Sequence, residues 1–123
     1  MKIEYIYDSK IERDITYWIG ENAQDNWDMI DKSEQNDIWF HLDGHPSAHI
    51  ILKIADLKEK NMLKKISKQT LIHCAVQCKL HSKFGEISSN KQKMKVIYTE
   101  VKNVSKADKP GAVYTKKENY LSI

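Results

Sequence analysis

Nothing in the 123-residue chain approaches the roughly 18 consecutive apolar residues that a membrane-spanning helix needs. Its first residues, Met-Lys-Ile-Glu-Tyr, lack the apolar core of a secretory signal. The expectation is a soluble, intracellular, cytoplasmic protein. Cysteine is scarce: Cys74 and Cys78 are the only two, one helical turn apart in a stretch that reads as helix. That spacing puts them on one face but holds their Cβ atoms too far apart for a disulfide, so they read as small core residues of a reducing compartment. Arginine is scarcer still, with Arg13 alone among 20 basic side chains. Phosphate contacts would therefore rest on lysine point charges instead of bidentate guanidinium forks. Also missing are a glycine-rich phosphate loop, an H-E-x-x-H helix and a G-x-S-x-G elbow. Carboxylate pairs such as Asp25 and Asp28 fall on an acidic helix face that reads as solvated surface. The expectation is a chain without catalytic residues or a cofactor.

What is present suits a single domain over residues 1–123, with room for one hydrophobic core. A composition of 41% hydrophobic and 30% charged residues argues against wholesale disorder. Charge is unevenly placed. Residues 1–45 hold 4 Lys/Arg against 11 Asp/Glu, whereas residues 46–123 hold 16 against 6. So basic a C-terminal portion fits a polyanionic partner if the fold gathers the lysines on one side; the alternative is a solvated lysine surface.

Along the chain, Ile3, Tyr5 and Tyr7 alternate with Lys2, Glu4 and Ile6, and Ile15, Tyr17 and Ile19 share a face of a second strand. With a loop over Asp8 to Asp14 and a stop at Gly20, this reads as an N-terminal hairpin. From Asn22, a plausible N-cap, to about Lys32 the spacing turns helical, with Ala23, Trp27 and Ile30 as its apolar stripe. Asp56 to Lys65 reads as a short helix or loop. Ser67 can cap a main helix reaching about Ser82. Leu71, Cys74, Ala75 and Cys78 form its buried stripe, widened by Ile72, Val76 and Leu80. Gly85 to Asn90 reads as a loop, Lys93 to Glu100 as a strand, Lys102 to Lys109 as a basic connection and Pro110-Gly111 as a turn. Short closing strands follow over Ala112 to Thr115 and Asn119 to Ser122. The predicted class is α+β: a mainly antiparallel sheet with its helices on one face.

The most informative segment is the central hairpin, residues 37–54. Ile38, Phe40 and Leu42 alternate with Trp39 and His41; after Gly44 and Pro46, Ala48, Ile50 and Leu52 alternate with His49, Ile51 and Lys53. Directly opposed residues of an antiparallel pair face the same side. The register that respects this sets Leu42 against Ala48, His41 against His49, Phe40 against Ile50 and Trp39 against Ile51. Asp43 to Ser47 is then a five-residue loop. A slip by one would set Phe40 and Leu42 against outward residues.

Two clusters of potential ligands invite a metal reading. His41, His45 and His49 lack a completing cysteine and match no zinc spacing, so a structural pair or a contact to a phosphate or base is the better reading. Cys74, Cys78 and His81 read as two core thiols and a surface imidazole, with no sign of an activated nucleophile. There remains a binding-type constellation: Trp39 on the outward face beside His41, His49 and Lys53, with Lys95 on a neighbouring strand. An indole beside cations suits single-stranded or looped nucleic acid, since bases stack on the ring while ammonium groups meet phosphates. The alternative is that a helix covers this face and Trp39 is core.

Asp37-Ile-Trp-Phe-His41 followed by Ser47-Ala-His49-Ile-Ile-Leu52 resembles the signature of the NFACT-R domain family. Gly20-Glu-Asn22 with Gln24-Asp-Asn26 is similar to that family's G-x-N…Q-N segment. Cys74-Ala75, Val96-Ile-Tyr98-Thr99, Val104 with Lys106, and Lys109-Pro-Gly-Ala-Val113 follow in the family's order. The Ser-Ala-His form and the short length are similar to the stand-alone eukaryotic type of the coiled-coil-domain proteins. The resemblance implies a non-catalytic RNA-binding module; fused members act in ribosome-associated quality control, engaging the large ribosomal subunit and tRNA, and one stand-alone type is linked to DNA. Glu21 departs from the basic residue many members carry after the glycine, and no coiled-coil tail or partner domain lies within these residues to recruit a ribosome.

The expected partner is thus RNA, as tRNA or rRNA, with DNA as an alternative ligand and the ribosome as a candidate assembly. The expected surface is Trp39, His41, His49, Lys53, Lys83, Lys95, Lys106 and Lys109. A second reading is a protein-interaction module docking on a ribosomal or host factor through the acidic N-terminal half. Whether Asp37 to Lys53 is the binding site or the signature of the fold is left to the tertiary structure.

Overall fold

A computed structural model describes residues 1–83, 85 and 93–123. Period-two patterning produces a six-stranded sheet in the order β1-β2-β4-β3-β5-β8, with every neighbouring pair antiparallel. The strands are β1 (Lys2–Asp8), β2 (Arg13–Ile19), β3 (Ile38–Leu42), β4 (Ile50–Leu52), β5 (Lys95–Glu100) and β8 (Asn119–Ser122). The helices are α1 (Ala23–Lys32), α2 (Met62–Lys65) and α3 (Lys68–Leu80). A separate two-stranded ribbon pairs β6 (Val104–Lys106) with β7 (Val113–Thr115). The α+β class and antiparallel sheet are as expected. So is the central register, with Trp39 opposite Ile51 and Phe40 opposite Ile50. The connection expected over Lys102 to Lys109 instead contains β6. Its three residues are too few to show alternation, and only pairing with β7 makes them a strand. The loop expected over 85–90 falls, apart from Gly85, outside the described residues.

The helices cover both faces of the sheet, a correction to the one-sided arrangement. On one face Leu71, Cys74, Ala75 and Cys78 of α3 pack on Ile15, Tyr17, Ile38, Phe40, Leu42, Ile50, Leu52 and Val96. On the other, Met29 of α1 packs with Trp39, Ile51, Val101 and Val104, while Trp18, Ile97 and Val113 close the margin. The central strands are therefore buried on both sides, which is why Ile50-Ile51-Leu52 is an unbroken apolar run. The expected helix stripes are narrower than drawn. Ala23 is exposed and Trp27 half-buried, leaving Asn26 and Met29 as the buried residues of α1. Ile72 and Leu80 of α3 are exposed.

Both helix caps form as expected. The Asn22 side chain accepts from Asp25 N–H at 2.8 Å, and the Ser67 side chain accepts from Thr70 N–H. Asp8, fully buried at the end of β1, ties the hairpin to α3 by accepting from Ser67 N–H at 2.7 Å and the Thr70 hydroxyl at 2.6 Å. No helix among the described residues is long and apolar enough to cross a membrane.

Candidate functional site

Strand register decides which residues meet at one end of the sheet. There β2 gives way to Gly20, β3 ends at His41 and Leu42, β4 is about to begin at His49, and β5 starts at Lys95, whose carbonyl accepts from Asp43 N–H at 2.9 Å. The start of α1, the end of α3 and the Pro110-Gly111 turn arrive at the same end. Together they enclose a cleft of ≈ 900 Å³ lined by Lys2, Gly20 to Ala23, Asn26, His41, Pro46 to His49, Leu80 to Lys83, Pro110 and Gly111.

The floor of the cleft is a hydrogen-bonded lattice. The Trp39 indole Nε1–H donates to His49 Nδ1 at 2.9 Å. His49 N–H donates to Asn26 Oδ1 at 3.2 Å, and Gly20 N–H donates to the His49 carbonyl at 3.0 Å. Gly20 is required by this packing, because a Cβ there would lie 1.8 Å from Asn26 Oδ1. Gly111, with φ of +86°, approaches Ala23 so closely that a Cβ would meet its Cα at 3.1 Å, and Trp27 Nε1–H donates to the Ala112 carbonyl at 2.9 Å. Burial lowers the His49 pKa to about 3, helped by His41 and opposed by a hydrogen bond to the Gly111 backbone. The imidazole is neutral at pH 7, with its proton on Nε2, because Nδ1 accepts from the indole.

The His41 ring stacks parallel to Trp39 at 5.8 Å between centroids and meets His49 edge-on at 5.0 Å. Its Nδ1 lies 2.6 Å from the Leu42 carbonyl, which can only accept, so Nδ1 carries a proton. Burial lowers its pKa, against opposing pulls from the Leu42 carbonyl and Asp43.

The expected site residues divide sharply. His41, His49 and Lys83 line the cleft, Lys109 adjoins its Pro110 wall, and Lys95 sits at the same end of the sheet. Trp39 is not an outward platform: at 2% exposure, under Met29 and the β6–β7 ribbon, it has no face for a base. Lys53 is also misplaced as a phosphate contact. It is 4% exposed at the opposite end of the sheet, ion-paired with the fully buried Asp37 and 4.4 Å above the Trp18 ring. Asp37 accepts further from the N–H groups of Glu34 and Ala55, so both ends of the motif are internal scaffold. Lys106 lies outside the cleft, paired with Asp31 and 5.4 Å over Trp27. Glu21, the departure from the family pattern, is ion-paired with the N-terminal amine at 2.8 Å. Lys2, His81 and Ser82 are lining residues that the sequence did not single out for binding, since no local pattern connects five separate segments. His45 lies exposed in the hairpin loop, and burial pushes both thiols, Cys74 and Cys78, well up. Among the described residues no three His, Cys, Asp or Glu side chains converge as metal ligands.

Residues 4–117 match the family model described as the NFACT protein RNA binding domain. Coiled-coil domain-containing protein 25 from Mus musculus and from Bos taurus are each 33% identical over 91 residues, 74% of this chain and 41% of theirs. The Danio rerio protein of that name is 31% identical over the same span. This chain thus covers about two fifths of those relatives' length. The C-terminal part of the fibronectin/fibrinogen-binding protein from Streptococcus suis superposes with a TM-score of 0.75 at 20% identity, over 100% of this chain and 45% of that one. That likeness shows a shared fold.

Proposed function

Because the chain belongs to the NFACT protein RNA-binding domain family, we propose that it is a non-catalytic module that takes a looped or single-stranded stretch of RNA into the cleft at the end of its sheet. The observation that carries this reading is the cleft itself. A pre-formed concavity has the His41 imidazole on its floor and Lys2 and Lys83 in its wall, with Lys95 and Lys109 flanking it. Pre-formed walls spare the protein the ordering cost of binding, while lysines supply the sequence-independent attraction. With Trp39 and Lys53 internal, those two ends of the Asp37 to Lys53 motif act by shaping the floor, and the rim lysines make the phosphate contacts. The family resemblance favours tRNA or rRNA in a cytoplasmic, ribosome-associated setting, with DNA as the competing ligand.

The test is RNA affinity against salt. Four lysines each neutralising a phosphate give a slope of about −3 in log affinity against log salt, hence roughly a 50-fold loss between 50 and 200 mM. Lys83→Glu and Lys109→Glu weaken binding, whereas no RNA or DNA affinity at low salt would defeat the reading.

A second reading has one observation in its favour. Ile3, Tyr5 and Tyr7 are 51%, 68% and 60% exposed along β1, an edge strand, which suits a protein partner adding a strand. A partner retained at high salt and after nuclease treatment would support it.

A further inference from the structure

The polar groups on the cleft floor are almost all committed. His49 Nδ1 accepts from Trp39, and Asn26 Oδ1 accepts from His49 N–H. Ser47 Oγ accepts from Leu42 N–H and donates to the Ala48 carbonyl. His41 is different. Its Nδ1–H is spent on the Leu42 carbonyl, and Nε2 has no protein partner among the described residues. No buried side-chain nitrogen or oxygen among the described residues lacks a hydrogen bond, so this unbonded nitrogen is the accessible edge of the ring, and the residue lines the cleft. The ring cannot readily turn it away, being held between the Trp39 face and the His49 edge and anchored at Nδ1.

We infer that His41 Nε2 is the atom with which the cleft reads its ligand, by accepting a hydrogen bond from a donor on a nucleotide, either a ribose 2′-hydroxyl or an exocyclic base amine. This rests on the cleft being the RNA site. A neutral imidazole whose Nδ1 bears the proton offers only a lone pair at Nε2, and a phosphate oxygen, also an acceptor, cannot satisfy it. Burial beside His49 favours that neutral form, against Leu42 and Asp43. The other ionisable groups around the cleft are Lys2, Glu21, His81 and Lys83. The lysines meet the phosphates and His41 meets the sugar or base, so affinity and selectivity reside in different residues.

The experiment compares the full chain with His41→Phe on three probes: a short mixed-sequence single-stranded RNA, its DNA counterpart, and the same RNA with inosine for guanosine, purine riboside for adenosine and pyrimidin-2-one riboside for cytidine. If the 2′-hydroxyl is the donor, the wild-type chain prefers RNA to DNA by roughly tenfold, the worth of one hydrogen bond, and His41→Phe erases the preference. If a base amine is the donor, RNA and DNA bind alike, the amine-free RNA binds about tenfold more weakly, and His41→Phe removes that difference. His41→Gln, which returns an acceptor near the Nε2 position, restores part of the selectivity. In the unmutated protein the His41 ring resonances shift on adding RNA, a check independent of how the variants fold. Unchanged selectivity in His41→Phe with unmoved His41 resonances overturns the inference while salt-sensitive, Lys83-dependent binding stands. No RNA binding by the wild-type chain overturns the cleft reading itself.

Discussion

Acidification tests the buried lattice directly, because a proton on His49 Nδ1 would put an N–H against the Trp39 N–H that it now accepts from. His49 is 2% exposed and titrates near 3 in the folded chain, against 6.5 for an ordinary histidine. As the pH falls below 6.5 the unfolded chain takes up this proton and the folded chain does not. The stability contribution is therefore whole above 6.5, declines by about 1.4 kcal/mol per pH unit, and is exhausted near pH 3. Between pH 7 and pH 5 the loss from His49 alone is about 2 kcal/mol, and its full extent is roughly 5 kcal/mol. Burial also lowers His41 and His73, so their contributions add in the same direction. Urea unfolding midpoints across this range, with histidine ring titrations by NMR, measure both the sum and the assignment. His49→Asn keeps an acceptor in reach of the indole but cannot take up a proton there, so its stability should fall about 2 kcal/mol less over the same two pH units. A His49 ring that titrates in the folded chain above pH 5.5, or a variant as acid-sensitive as the parent, would refute the reasoning.

Lys53→Met should destabilise the fold by roughly 3–5 kcal/mol in urea titration, because it strands the Asp37 carboxylate in the interior, yet leave RNA affinity per folded molecule unchanged. Gly20→Ala should cost more than about 2 kcal/mol by expelling the Asn26 side chain and orphaning His49 N–H. Trp39→Phe should cost about 1–3 kcal/mol through the unpaired His49 Nδ1; a specific loss of RNA binding at full folding would instead place the indole at the ligand. Cys74 and Cys78 should resist a thiol-specific reagent until the chain unfolds, since burial holds both as thiols.

Strand pairing, caps and turns were legible in the sequence because they depend on neighbours within a few residues. Alternation of Trp39 and His41 with Phe40 and Leu42, opposed by Ile50 to Leu52, admits one register that keeps each face consistent. Asn22 and Ser67 announce their helices by chemistry confined to one turn. The family signature was equally readable, although its meaning was not. Period two says that Trp39 and Phe40 face opposite ways without saying what covers either face, and the unbroken apolar run Ile50-Ile51-Leu52 points to cover on both sides without saying which segments supply it. Only the docking of α1 and the β6–β7 ribbon made Trp39 core, and only the closure of Asp37 onto Lys53 made that lysine internal. The cleft lay further from view, since its lining comes from residues 2, 19–23, 26, 41, 46–49, 80–83 and 110–111, which chain folding alone brings together. Local sequence thus determined the strands, their register and the caps. Tertiary packing decided which motif residues support the floor and which side chains reach a ligand, because burial is set by contacts between segments distant along the chain.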